Sequence, residues 1–133
     1  MNFLLDTSVL IDLLRNKGLT EKFVSAHVDD TMSTSAICEA ELNEGIYREK
    51  EENVPKRLEE KKELFGLFTE IVSFNSKQAE IAGKIRAKLS LKGSLIGDLD
   101  VLIAATAISQ DAILVTKNTK HFQKIEGLQL MAI

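Results

Sequence analysis

Short apolar runs alternate with helix-forming stretches along the whole chain, and this alternation limits the possible folds more than any other feature. Phe3 to Leu5, Thr31 to Thr34, Ile71 to Phe74, Ile113 to Val115 and Leu128 to Met131 read as strands. Between them lie helical patterns. Val9 to Arg15 is expected to be capped by Thr7 or Ser8, and Glu21 to Val28 by Thr20. Ala36 to Lys50 has Ser35 before it as an N-cap. Pro55 suits the first turn of the next helix, with an apolar stripe of Leu58, Leu64, Phe65, Phe68 and Ile71. The intervening KRLEEKKE reads as its solvated face. Ser76 is expected to cap a helix carrying Ala79, Ile81, Ala82, Ile85 and Leu89, which Gly93 and Gly97 end. DLDVLIAATAI is apolar on almost every side, as a buried helix is. Strand–helix alternation of this kind implies an α/β fold: a parallel sheet covered by helices on both faces, with right-handed crossovers.

The chain has 133 residues, the size of one domain spanning 1–133. Its 44% hydrophobic and 28% charged residues are ordinary for a globular protein. Cys38 stands alone, so no internal disulfide forms, as suits a reducing cytosol. No apolar run is long enough to span a membrane, and Asp6 interrupts any signal-peptide core. A cytoplasmic location is expected. The net charge of −3 and pI of about 5.4 argue against gripping nucleic acid by bulk positive charge. Aromatics at 5% and the absence of Trp argue against a base-stacking platform. Neither excludes reaching phosphates through bound metal ions.

The acids carry the functional question. In a parallel α/β sheet, ligands bind beyond the carboxyl ends of the strands, and Asp6 follows the first strand. Asp6 either faces that crevice or caps the next helix. Glu41 falls within the arc of Ile37, Cys38, Leu42, Gly45 and Ile46 on a helical wheel. It is either a snorkelling surface residue or a ligand. Glu39, just outside that arc, reads as solvated or as complementing the helix dipole. Capping accounts for Asp98. Asp100 sits in the first turn of a buried helix with no Lys or Arg in its segment, and a buried charge must be paired or coordinate a cation. The strand from Ile113 ends at Thr116, followed by Asn118, which either binds a ligand or makes a turn. His121 reads as a surface or capping residue.

Carboxylates converging on one crevice repel one another, and a divalent cation removes that cost. All the candidate donors are hard oxygens, which favours Mg2+ or Mn2+ over Zn2+. The reaction that follows from such a centre is hydrolysis of a phosphodiester.

Taken together, LLDTSVLIDLL, the AEL of ICEAEL, IGDLDVLIAATAI, ILVTKNTKHF and the closing IEGLQL resemble the PIN-domain family, in particular the VapC-type toxins of toxin–antitoxin pairs. The resemblance covers essentially the whole chain. It implies a three-layer α/β/α PIN domain with a parallel five-stranded sheet. It also implies a Mg2+- or Mn2+-dependent endoribonuclease acting on RNA, restrained by a cognate antitoxin and commonly a homodimer. The family's acidic positions map onto Asp6, Glu41 and Asp100, with Asp6 and Asp100 as metal ligands. Thr7 or Ser8, Asp98 and Thr116 give support. The fourth position is often Asp and here is Asn118, which leaves a single-ion site as one arrangement.

Two other classes fit parts of the chain. A phosphoacceptor receiver domain also has an acid after its first strand, and Lys117 after Thr116 suits it. Neither Thr31–Thr34 nor Ile71–Phe74, however, ends in the Asp such a domain phosphorylates. A non-catalytic PIN-fold binding module is the third reading, and no residue favours it.

Overall fold

In the computed structural model, residues 1–15 and 18–133 are described. They form β1 (Asn2–Leu5), α1 (Thr7–Arg15), α2 (Gly18–Ala26), β2 (Thr31–Ser35), α3 (Ala36–Tyr47), a 3-10 turn (Glu51–Asn53), α4 (Val54–Phe65), β3 (Glu70–Val72), α5 (Ser76–Leu91), α6 (Asp98–Ser109), β4 (Ile113–Thr116), α7 (Thr119–Phe122) and β5 (Gln129–Ala132). Every strand pairing is parallel, in the order β3-β2-β1-β4-β5. Helices flank the sheet, giving the three-layer α/β/α architecture expected from the resemblance. The order differs from the 2-1-3-4-5 of receiver-type folds, which removes that alternative.

The two central strands have no solvated face. Phe3, Leu4 and Leu5 of β1 and Leu114, Val115 and Thr116 of β4 are wholly buried. That is why both read as unbroken apolar runs rather than as alternating ones. The outer strands β3 and β5 are short and partly exposed, as edges usually are. α5 packs along α6, where Ala82, Ala104 and Ala105 are buried. α1 packs against α2, α3 and α4.

Helix N-termini depart from the sequence expectation in four places, and α2 and α3 also stop short, at Ala26 and Tyr47 rather than Val28 and Lys50. α1 is capped by Asp6 rather than by Thr7 or Ser8, because the Asp6 carboxylate accepts from the Ser8 and Val9 amides. α2 begins earlier than expected and takes Thr20 into its interior, where the hydroxyl donates to Asp12. α5 is capped by Asn75 in a reciprocal box with Gln78, so Ser76 is its first helical residue. α6 is capped by Gly97, and Asp98 is already helical. Ser35 caps α3 as expected, accepting from the Cys38 amide at 3.0 Å. Gly93 ends α5 with φ +68°, a conformation only glycine adopts without strain. The strand after α4 is Glu70–Val72 instead of Ile71–Phe74.

The strand order reverses direction between β1 and β4. The carboxyl ends of these two strands therefore open a crevice at the switch point of the sheet. Asp6 and Thr116 are the residues found there.

Candidate active site at the switch point of the sheet

Asp6 forms the floor of the crevice and is only 4% exposed. Its amide still pairs with β4, donating to the Val115 carbonyl at 3.1 Å. Its carboxylate is enclosed by donors. Oδ1 accepts from the Ser8 hydroxyl at 2.5 Å, the Ser8 amide at 2.9 Å and the Val9 amide at 3.3 Å. Oδ2 accepts from the Thr116 hydroxyl at 2.5 Å. These bonds and the α1 N-terminus are what allow a charge to sit at the end of a buried strand. Capping and facing the crevice were opposed readings of Asp6, and the fold combines them.

One wall comes from α3. Glu41 is half-buried, and its Oε1 accepts from the Thr7 hydroxyl at 2.6 Å, which joins α3 to the start of α1. Glu39, read as solvated, is instead ion-paired with Lys61 of α4 at 2.8 Å, and Lys61 is itself mostly covered. Arg57 of the same stretch pairs with Glu49 and Glu60. The KRLEEKKE segment thus has two of its cations fixed against neighbouring acids. Beneath Glu41, Cys38 is fully buried, and burial pushes its thiol pKa up. Cys38 does not line the cleft.

The rim comes from the first turn of α6 and from α7. The half-buried Asp100 lies with Oδ2 at 3.2 Å from His121 Nδ1. Burial raises the Asp100 pKa; His121 pulls it down, and the Asp6 charge adds to the rise. A Cβ on Gly97 would stand 3.4 Å from Asp100 Oδ2, so this cap position is tight against the carboxylate. Asp98 is exposed and pairs with Arg86 of α5 at 3.0 Å. The exposed Asn118 precedes α7 without a side-chain capping bond, and its amide donates to the Thr116 hydroxyl at 2.9 Å.

One cleft is lined by Asp6, Thr7, Ser8, Glu41, Asp98, Asp100, Asn118 and His121, with Gly97, Ile11, Leu99 and Ile103 completing its surface. Thr116 lies buried behind Asp6. Among the described residues, no Lys or Arg belongs to this lining. The carboxylate-rich donor set, with His121 its one nitrogen donor among the described lining residues, and the repulsion felt at Asp100 suit a hard divalent ion such as Mg2+ or Mn2+. As the side chains stand, each acid is turned toward a protein partner. Among the described residues no group of three or more His, Cys, Asp or Glu side chains is arranged to hold a metal ion.

Sequence reading underrated two residues. His121 is the partner of Asp100 rather than a mere surface or capping residue. Its spacing of three from Asn118, on a short helix facing α6, was the only available signal. Ser8 bonds Asp6, as its place beside that acid allows, and also accepts from the Lys117 amide in the loop after β4, which nothing in its local sequence indicates.

Comparison with known proteins places this fold in a family. A profile of the PIN domain matches residues 3–128, and the chain belongs to the PIN domain family. Its relatives in sequence are VapC proteins. It is 32% identical to Ribonuclease VapC2 of Rickettsia felis over 133 residues, 98% of this chain and 96% of that protein. It is 30% identical to the tRNA(fMet)-specific endonuclease VapC of Shigella flexneri over 129 residues, 97% of this chain and 96% of that one. Among solved structures, VapBC2 from Rickettsia felis bound to a DNA fragment from its promoter covers 100% of this chain and 99% of that chain. The TM-score is 0.93 and the sequence identity 28%.

Proposed function

We propose that this chain is a Mg2+- or Mn2+-dependent endoribonuclease and the toxin of a toxin–antitoxin pair. The observation that carries the reading is the convergence of Asp6, Glu41, Asp98 and Asp100 on one cleft with no lysine or arginine in its lining among the described residues. Similarity to VapC ribonucleases along nearly the full length supports it.

Asp6 and Asp100 would hold such an ion, with Glu41 on α3 beside them. A divalent ion bound there offsets the negative charge that develops on the phosphoryl oxygens and makes an attacking water more acidic. Ser8 and Thr116 keep Asp6 oriented through their short hydroxyl bonds. Thr7 fixes Glu41 at the same opening through its hydroxyl bond. His121 holds Asp100 from the rim. A divalent ion held there would supply the positive charge that a phosphodiester requires, which reconciles an RNA substrate with a net charge of −3.

The antitoxin inhibits by the same electrostatics. A basic side chain inserted among the carboxylates supplies the charge that the ion would supply, and Arg matches a carboxylate with two parallel bonds. The active form is a homodimer, and the exposed Leu91 and Leu95, at and just after the end of α5, offer apolar surface to a second copy. No helix among the described residues is long and apolar enough to cross a membrane.

Purified chain with MnCl2 and a panel of tRNA, rRNA and mRNA tests the reading, with Asp6→Asn as control. The panel includes initiator tRNA, for which the Shigella flexneri relative is named. Metal-dependent cleavage lost in the variant is expected. Cleavage retained by Asp6→Asn, or absent from the parent with every RNA, overturns the assignment.

A further inference from the structure

Two hydroxyls carry the Asp6 carboxylate, and each is aimed by the segment that follows β4. Ser8 Oγ donates to Asp6 Oδ1 and accepts from the Lys117 amide at 3.1 Å. Thr116 Oγ1 donates to Asp6 Oδ2 and accepts from the Asn118 amide at 2.9 Å. A hydroxyl has a single proton, so an amide donor at its lone pair directs that proton to the other neighbour. Both oxygens of Asp6 therefore depend on where two consecutive amides sit.

Those amides belong to exposed residues outside any strand or helix. Their anchor is the Lys117 side chain, whose Nζ meets Asp12 Oδ1 at 2.9 Å. The other oxygen of Asp12 accepts from the hydroxyl of Thr20, which is 1% exposed on α2. The ion pair thus ties the segment after β4 to α1 and, through Thr20, to α2. A partly exposed pair of this kind adds little to global stability. Its effect is local, at the 117–118 backbone whose amides reach Ser8 and Thr116.

We propose that Lys117 is a positioning residue: its ion pair with Asp12 holds the 117 and 118 amides against Ser8 and Thr116, and so keeps the Asp6 carboxylate set for a divalent ion. This rests on the metal-dependent nuclease reading of the cleft. Partners that orient a metal ligand typically govern affinity by about 10- to 100-fold.

The test is calorimetric titration of the purified chain with MnCl2, alongside cleavage kinetics and thermal melting. Parent, Lys117→Met, Lys117→Arg and Asp12→Asn are compared. Lys117→Met and Asp12→Asn are each expected to weaken Mn2+ binding by about tenfold. In both, kcat falls while KM for RNA stays within about twofold, as expected when orientation rather than substrate binding is lost. Lys117→Arg, which keeps the pair, restores Mn2+ affinity to within about threefold of the parent. Combining Lys117→Met with Asp12→Asn costs no more than either alone, since both break one contact. Should one single variant fold poorly on melting, the other carries the comparison. Unchanged Mn2+ affinity in a folded variant, beside a parent that binds and cleaves, overturns the positioning role and leaves the nuclease reading intact. A parent that neither binds Mn2+ nor cleaves RNA overturns that reading and the positioning role with it.

Discussion

The floor and the rim of the cleft hold their carboxylates by opposite means. At the floor, Asp6 is buried and takes bonds from two hydroxyls and two amides, so its charge is accommodated by the protein alone. At the rim, Asp100 has His121, feels the charge of Asp6, and sits where burial raises its pKa. One acid is part of the structure, and the other is carried at a cost that a cation relieves. Strain of this kind at a site, with a settled neighbour beside it, is what a ligand-binding arrangement requires.

Substituting the floor gives the largest effect. Asp6→Asn is expected to lower RNA cleavage by more than about a hundredfold, beyond the loss typical for a ligand's partner. It also lowers stability by about 1–3 kcal/mol, because an amide cannot accept from all the donors around it. Melting in the absence of metal checks the second effect; an unshifted midpoint removes the structural half of the contrast.

Metal comes next. MnCl2 at about 100 times its dissociation constant adds roughly 2.7 kcal/mol to the folded state if only that state binds. Thermal melting with and without MnCl2 reads this directly, and Asp6→Asn erases the shift.

Asp100→Asn sharpens the contrast, since it also abolishes cleavage yet raises the metal-free melting temperature at neutral pH. The sign follows from the raised pKa of Asp100. Below the unfolded carboxylate value of about 3.9 the acid is protonated in both states. As pH rises past that value the unfolded chain loses the proton first, so ionisation costs the folded state stability. The gain of Asp100→Asn over the parent therefore appears above that pH and closes under acid conditions. Melting curves from pH 3 to 7 test it, and a parent more stable than the variant at neutral pH contradicts the account.

The smallest effect belongs to Asp98. Its pair with Arg86 is exposed on both sides, so Asp98→Asn changes stability by less than about 1 kcal/mol. Mn2+ titration separates it from Asp100: the loss of affinity is expected to be far smaller at 98 than at 100.

Strands and helices were legible because their periodicities are local. Phe3 to Leu5 and Ile113 to Val115 announce themselves as doubly covered strands, and the apolar 98–109 stretch as a buried helix. Helix caps were less legible. Asp6, Thr7 and Ser8 are all good N-cap residues, and the choice among them depends on where β1 ends against β4. Gly97 rather than Asp98 caps α6, and Asp98 turns to Arg86 on a different helix. The positions of the candidate acids came from motif order and strand ends. Their partners did not, because Thr116 lies 110 residues from Asp6 and Glu41 lies 34 from Thr7.

By itself, the order of residues determined an α/β alternation, an acid at the end of the first strand and further acids at the starts of helices. These follow from propensities and hydrophobic periods that act over a few residues. Only the tertiary structure decided that β1 and β4 lie side by side, and hence which hydroxyls, which imidazole and which backbone amides meet each carboxylate. A hydrogen bond is satisfied only within about 3 Å, and folding alone brings residues a hundred positions apart to that distance.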